Sequence, residues 1–499
     1  MTRSMNAVRC AMLVLPALLA GCAAGPDFHR PAAPEVKAYQ SEPLPAPDAD
    51  AQRLVAAMEI PAQWWTLFHS QPLNALVDAA LAANPDVAAA QAALHAAREN
   101  AYAQQGAFFP GVEASINPTR QKTAGALSAV PSSGAYIYNL HTAQLGISYV
   151  PDVSGGNRRQ VESLQAQAEV QKFQLEATYL TLASNVVNAA VQEAASRAQI
   201  EATEAMIRNQ SKTLDSYRRQ FALGQLAEAD VAMQEAALAQ MQAALPPLHK
   251  QLALARDLLK ALSGAYPDQD RLANFSFDDI NLPDELPLSL PARLVEQRPD
   301  VRAAQAQMHS ASAQIGVAIA NRLPNISIDG SFGSAAPKFS QLFDAGSGFW
   351  NLAANITQPI FQGGTLLHRQ RAAEAVYEQA AAQYRSTVIV AFQNVADTLH
   401  AVQADTDAWK AAAAAERAAL RSRDIARRLV QLGSISTLEQ LGVETNWYQA
   451  EINLIQARAN RLADSVALLQ ALGGGWWNRA DVAVSDRDAA QPDAAAASR

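Results

Sequence analysis

One thiol in this chain stands in a context that prescribes a reaction. Leu19-Ala20-Gly21-Cys22 closes an apolar stretch that begins at Cys10, and Arg3 and Arg9 precede it. A basic start and an apolar run too short to span a bilayer as a helix make an export signal. Leu, two small residues and Cys is the pattern that bacterial lipoprotein processing reads. The Cys22 thiol is joined to a diacylglycerol, and the chain is then cut before it. The spacing predicts a signal peptide over 1–21 and a mature terminus bearing diacylglycerol and an N-acyl lipid on Cys22. Ala23 stands where a lipoprotein of the inner membrane often carries Asp, which favours sorting to the outer membrane. Several acyl chains anchor durably where one is marginal.

No other constellation points to covalent chemistry. There is no nucleophile elbow, phosphate loop, zincin motif or paired-Cys metal site. The eight histidines are scattered. Gly155-Gly156, Gly363-Gly364 and Gly473-Gly474-Gly475 lack a following Lys and read as turn glycines. The expectation is that the chain is not an enzyme: no catalytic residue, no cofactor beyond the covalent lipid and no metal. Of two cysteines, Cys10 leaves with the signal, so no internal disulfide can form in an oxidising compartment. Net charge is −8 for the whole chain; without Arg3 and Arg9, 37 basic residues face 47 acidic ones. That balance argues against nucleic acid as a partner. No later segment offers about 20 uninterrupted apolar residues, so membrane residence needs an anchor or a β-barrel.

The elements that carry the chain are written twice. Asn84-Pro85-Asp86-Val87-Ala88-Ala89-Ala90-Gln91-Ala92 returns as Arg298-Pro299-Asp300-Val301-Arg302-Ala303-Ala304-Gln305-Ala306. The register holds through His95 and His309 to Pro110 and Pro324. Pro151 with Gly155-Gly156 matches Pro359 with Gly363-Gly364, and Leu223-Gly224 matches Leu432-Gly433. The expected layout is a lipid anchor and Pro-rich segment over 22–72, repeats over 73–264 and 291–475, and a connection over 265–290. An Ala/Asp-rich tail over 476–499 is expected to be disordered. Each repeat opens with a helix at Pro85 or Pro299, where a missing N–H costs nothing. Two short alternating segments and two long helices follow.

The longest helical run, 157–221, would extend about 100 Å, far beyond a globular helix. Heptads run along these helices: Leu441, Tyr448, Ile455, Leu462 and Leu469 form one series, and Tyr179, Val186, Glu193, Ile200, Ile207, Leu214 and Phe221 another. Helices with this spacing wrap one another. Pro246-Pro247 should break one of them. The alternating segments are Val112-Glu113-Ala114-Ser115-Ile116-Asn117, 142–149, 326–332 and 351–357. Period two with one apolar face suits strands between lipid and water. Four strands cannot close a barrel, and an open sheet edge in lipid would leave its N–H and C=O groups without partners. Several copies must therefore contribute to one barrel. A periplasmic coiled-coil adaptor or scaffold would lack these segments.

Cys22 with Gly25-Pro26-Asp27-Phe28-His29-Arg30-Pro31, Trp64-Trp65, Arg298-Pro299-Asp300-Val301-Arg302, Gln358-Pro359-Ile360-Phe361 and Leu472-Gly473-Gly474-Gly475-Trp476 together carry a resemblance. The chain resembles the TolC-like outer-membrane efflux protein family, in its lipoprotein branch serving resistance-nodulation-division (RND) pumps. The resemblance implies an α+β membrane protein: a homotrimeric duct with a twelve-stranded outer-membrane β-barrel, four strands per chain, continued by a long periplasmic α-helical barrel. It implies an adaptor (membrane fusion protein) and an inner-membrane RND-type pump as partners, and small molecules as cargo. A type I secretion duct for polypeptides would share the fold. The adaptor is expected at the hairpin tips, Gly224 and Gly433. Many relatives carry inward carboxylates near the closed tip. Here Asp424 with Arg427 and Arg428, and Asp215 with Arg218 and Arg219, are the candidate gate, paired along one helix face or to the next helix.

Overall fold

The computed structural model describes residues 24–36, 38–39, 52–124, 137–269, 273–289 and 291–479. Cys22, the signal segment 1–21 and residues 480–499 of the expected tail lie outside the described residues. The first half holds β1 (Arg53–Ala56), α1 (Gln71–Ala83), α2 (Pro85–Gln105), β2 (Gly111–Lys122), β3 (Ile137–Tyr149), α3 (Gly156–Ala222), α4 (Glu228–Ala243) and α5 (Leu245–Leu262). The second holds β4 (Glu285–Leu288), α6 (Pro291–Gln297), α7 (Pro299–Ala320), β5 (Asn325–Ala336), β6 (Gly348–Thr357), α8 (Thr365–Gln431) and α9 (Thr437–Ala471). Contacts divide the chain into two units, one of 1–31, 93–171 and 304–384, the other of 32–92, 172–303 and 385–499.

The first unit contains an antiparallel sheet in the order β2-β3-β5-β6. Its strands contain the four alternating segments and extend each of them. The second unit contains a parallel pair, β1 with β4, in which Arg53 lies opposite Glu285. Nothing in the alternation signals this pair, because four-residue strands are too short to show a period. Phe275, Phe277 and Ile280, in the connection before β4, are buried.

Helices α3 and α8 have 67 residues each, about 100 Å of rise apiece. In the second unit Val186, Glu193, Ile200 and Leu214 of the α3 heptad series and Leu441, Leu462 and Leu469 of the α9 series are buried, whereas Phe221, near the end of α3, is 43% exposed. The Pro246-Pro247 break appears at Ala244, where α4 ends and α5 begins. Two short helices that the periodicity does not reveal, α1 and α6, precede Pro85 and Pro299. Proline cannot extend either one past its neighbour.

The repeat survives in three dimensions. Asn84 donates from its side chain to the Leu262 carbonyl, and Arg298 donates to the Ala471 carbonyl. Gly264 and Gly473 follow these helix ends in positive φ, at 72° and 96°. A Cβ at Gly264 would lie 2.5 Å from the Ala83 oxygen, and one at Gly473 would lie 2.6 Å from the Gln297 oxygen. Only glycine fits such an approach.

The first residues of the expected disordered tail, 476–479, are held in place. Trp476–Asn478 forms a 3-10 turn. The Trp476 ring packs edge-on against Phe173 at 5.7 Å, and its N–H donates to the Gln297 carbonyl at 2.6 Å. An indole with both an apolar neighbour and a hydrogen-bond acceptor is held in place. Arg479 then pairs with the buried Glu176 at 2.7 Å.

Candidate functional site

The sheet of the first unit sorts its residues by face. Register aligns Val112 with Ile147, Ile147 with Gly330, and Gly330 with Leu352. The next apolar row runs Ala114, Leu145, Phe332 and Trp350. Within these rows Val112, Leu145, Ile147, Phe332, Trp350 and Leu352 are all large and exposed. A face this apolar, left open over four strands, is far from the scattered exposure of a soluble surface. The other face is polar and internally bonded. Ser148 and Ser327 donate to the Asp329 carboxylate at 2.8 and 3.0 Å, and Asn355 adds a third donor at 3.1 Å.

Strand length fits the same reading. The four strands have 12, 13, 12 and 10 residues. About 9–11 tilted residues cross a bilayer core. No described helix is long and apolar enough to cross a membrane. The alternation in the sequence identified the apolar set except Trp350, which extends it at the start of β6.

The hairpin tips, in the second unit, are built alike. The Gly224 N–H bonds to the Phe221 carbonyl and the Gln225 N–H to Gln220. The Gly433 N–H bonds to Val430 and the Ser434 N–H to Leu429. This is the Schellman closure, which places Gly in positive φ, here 72° and 69°. Nothing lies within 4 Å of a Cβ built on either glycine. Leu223 and Leu432 beside them are 72% and 76% exposed. Both tips thus present an open turn with one apolar side chain.

The charges near the tips pair differently from expectation. Asp424 accepts from its neighbour Arg423 at 2.9 Å, not from Arg427 or Arg428. Arg427 reaches across its hairpin to Glu444 at 2.9 Å, and Arg218 reaches across the other to Glu235 at 2.7 Å. Asp215, Arg219 and Arg428 are exposed and have no ion-pair partner among the described residues. The reason is desolvation. The Glu444 side chain is only 10% exposed and needs a cation, whereas Asp424, 51% exposed, is open to solvent and already accepts from Arg423. Gln440 also donates to Glu444 at 3.1 Å. The repeat carried a signal for this brace, since Arg218 and Arg427 hold matching positions before the tip glycines, and Glu235 and Glu444 matching positions after them.

The family model for "outer membrane efflux protein" matches residues 76–265 and 290–474. The pyoverdine export outer membrane protein OpmQ of Pseudomonas putida is 29% identical over 442 residues, covering 86% of this chain and 92% of that one. The probable efflux pump outer membrane protein TtgC of Pseudomonas putida is 29% identical over 467 residues, covering 93% and 94%. Among solved structures, the outer-membrane channel OprN superposes with a TM-score of 0.80 at 25% identity, over 91% of this chain and all of that one. A sheet with a lipid-suited face, paired long helical hairpins and these likenesses agree: the chain belongs to the outer membrane efflux protein family and is an outer-membrane channel component of an efflux system.

Proposed function

We propose that three copies of this chain, each lipid-anchored through Cys22, close one duct that passes small molecules from an inner-membrane RND-type pump to the exterior. The observation that carries this reading is the four-stranded sheet with β2 and β6 at its edges and one face whose rows through Ile147 and Leu145 are apolar across all four strands. In lipid every edge must be paired, so β6 of one copy meets β2 of the next. Three copies make twelve strands, within the range of outer-membrane barrels. The polar face around Asp329 then lines the lumen. The tips at Gly224 and Gly433 receive a periplasmic adaptor, whose apolar surface covers Leu223 and Leu432.

The Arg218–Glu235 and Arg427–Glu444 pairs brace each hairpin from within, so they do not act between copies. Closure between copies falls to the exposed charges that remain, Asp215, Arg219, Asp424 and Arg428. The test is direct. The detergent-extracted protein is weighed by native mass spectrometry, where three chains are expected and any other number refutes the closure. Metabolic labelling with fatty acid should mark the parent and not Cys22→Ser. A Cys22→Ser protein that is still acylated removes the anchor from the reading without touching the barrel.

A further inference from the structure

Directly after Cys22 the chain is tied down. The Ala24 N–H donates to the Ser154 carbonyl at 3.0 Å. Arg159, at the start of α3, then gathers the segment. Its Nε donates to the Ala24 carbonyl at 3.1 Å, and its Nη2 donates to the Gly25 carbonyl at 3.4 Å and to Asp27 at 2.7 Å. Its Nη1 donates to Glu162 at 2.7 Å. The Arg159 side chain is only 6% exposed, although Asp27 is almost fully open to water. A buried guanidinium whose donors are taken up by backbone and carboxylate oxygens is a costly fitting unless the fit is complete.

Two further contacts fit the segment to its seat. Gly25 has φ of 91°, and a Cβ there would lie 2.5 Å from the Gly316 Cα on α7. A Cβ on Gly316 would in turn lie 2.6 Å from the Ala24 oxygen and 2.7 Å from the Arg159 Cγ. The Phe28 ring stacks on His309 of α7 at 4.4 Å and 14°, and His309 bonds to Glu162 at 2.9 Å. The seat is not a by-product of the internal repeat. Its matching positions carry Tyr102 where the seat has Gly316, Leu367 where it has Arg159, and Gln370 where it has Glu162.

We propose that residues 24–29 form a strap, locked by Arg159, that seats the acylated terminus at one rim of the β-sheet. Arg159 is its positioning residue. The place follows from topology. The end of β3, the starts of β2 and β5 and the end of β6 share one end of the sheet, and Ser154 follows β3 directly. Only Ala23 separates Cys22 from Ala24, so two residue steps give a reach of at most about 7 Å. The acyl chains therefore enter the leaflet beside the strands, and the anchor acts as a fixed point of the rim and not as a loose tether. This rests on the lipidation of Cys22 proposed above.

The test uses the full chain in membranes, with Phe28→Cys and His309→Cys joined by a short bifunctional thiol reagent. Acylation removes the Cys22 thiol from competition and is read separately from the intact mass. Crosslinking within one chain is expected in the otherwise unchanged protein. Arg159→Ala should lower it about tenfold at unchanged acylation, with partial rescue in Arg159→Lys. Asp27→Ala, on the exposed side, should lower it several-fold while trimers form normally, which separates the strap from a folding defect. Crosslinking that is absent in the reference protein, or undiminished in both Arg159→Ala and Asp27→Ala, overturns the strap. Normal crosslinking beside an unacylated Cys22 instead sinks the anchor reading and leaves the Arg159 lock in place.

Discussion

A lysine placed on the two faces of β3 should meet two different solvents. Leu145 and Ile147 belong to the apolar rows, whereas Gln144 and Ser148 belong to the polar face. Depth follows from strand geometry. An antiparallel strand rises about 3.4 Å per residue, and a tilt near 45° leaves about 2.4 Å of depth for each. Counted from Tyr149, where β3 ends, Ile147 is then about 5 Å and Leu145 about 10 Å into an apolar band about 25 Å tall. A lysine costs about 2–4 kcal/mol at mid-membrane and about 0–1 near the interface. Leu145→Lys should therefore lose about 2–3 kcal/mol and Ile147→Lys about 1. Ile328, which the register pairs with Tyr149 at the rim, should lose no more than Ile147. Gln144→Lys, Ser148→Lys and Ser327→Lys should be nearly neutral, the two serine sites helped by the nearby Asp329 carboxylate. The assay is reversible denaturant unfolding from vesicles, followed by the loss of the folded oligomer. Equal losses on the two faces would refute the assignment of lipid to the apolar face. Equal losses at Leu145 and Ile147 would refute the depth.

Three further outcomes follow from the helical unit. Gly224→Trp and Gly433→Trp should abolish pump-dependent efflux and adaptor crosslinking while trimers form. Gly224→Asn and Gly433→Asn keep positive φ at small cost and should retain both, so equal behaviour of Trp and Asn would exclude the tips as the docking site. Arg219→Ala and Arg428→Ala channels should conduct more than the parent at low salt, and the parent's conductance should rise as salt screens exposed pairs worth about 0–1 kcal/mol each. If neither variant conducts more, closure rests on apolar packing through Leu429, Val430 and Leu432. Burial, and then Asp405 beside it, push Asp464 up to about 6. With its folded pKa raised, this carboxyl costs stability as pH rises from about 4 through about 6, by an upper limit of about 3 kcal/mol that partial exposure reduces to about 1. Asp464→Asn should then melt roughly 2 °C higher than the parent at pH 7.5, with a smaller gap at pH 4; a gap independent of pH would refute it.

The periodicities and the repeat are properties of the chain itself, and they determined most of this protein. Alternation located four strands, because a strand between lipid and water must alternate at every step. Heptads located the long helices, because a seam that recurs every 3.5 residues has to face a partner. The proposed anchor rests on the spacing Leu19-Ala20-Gly21-Cys22 alone, since processing reads linear sequence. Tertiary structure decided what depends on meetings between distant residues. Asp424 stands near Arg427 and Arg428 on one helix, yet Glu444, across the hairpin and nearly buried, takes Arg427 because a desolvated carboxylate needs a cation more than a hydrated one does. The pairing of β1 with β4 joins two segments too short to show a period. Trp476, read as the start of a loose tail, is held by Phe173 and the Gln297 carbonyl from two other helices. The Arg159 clasp on Ala24, Gly25 and Asp27 is likewise invisible in one dimension. It requires that Gly316, far along the chain, leave room for the strap to pass.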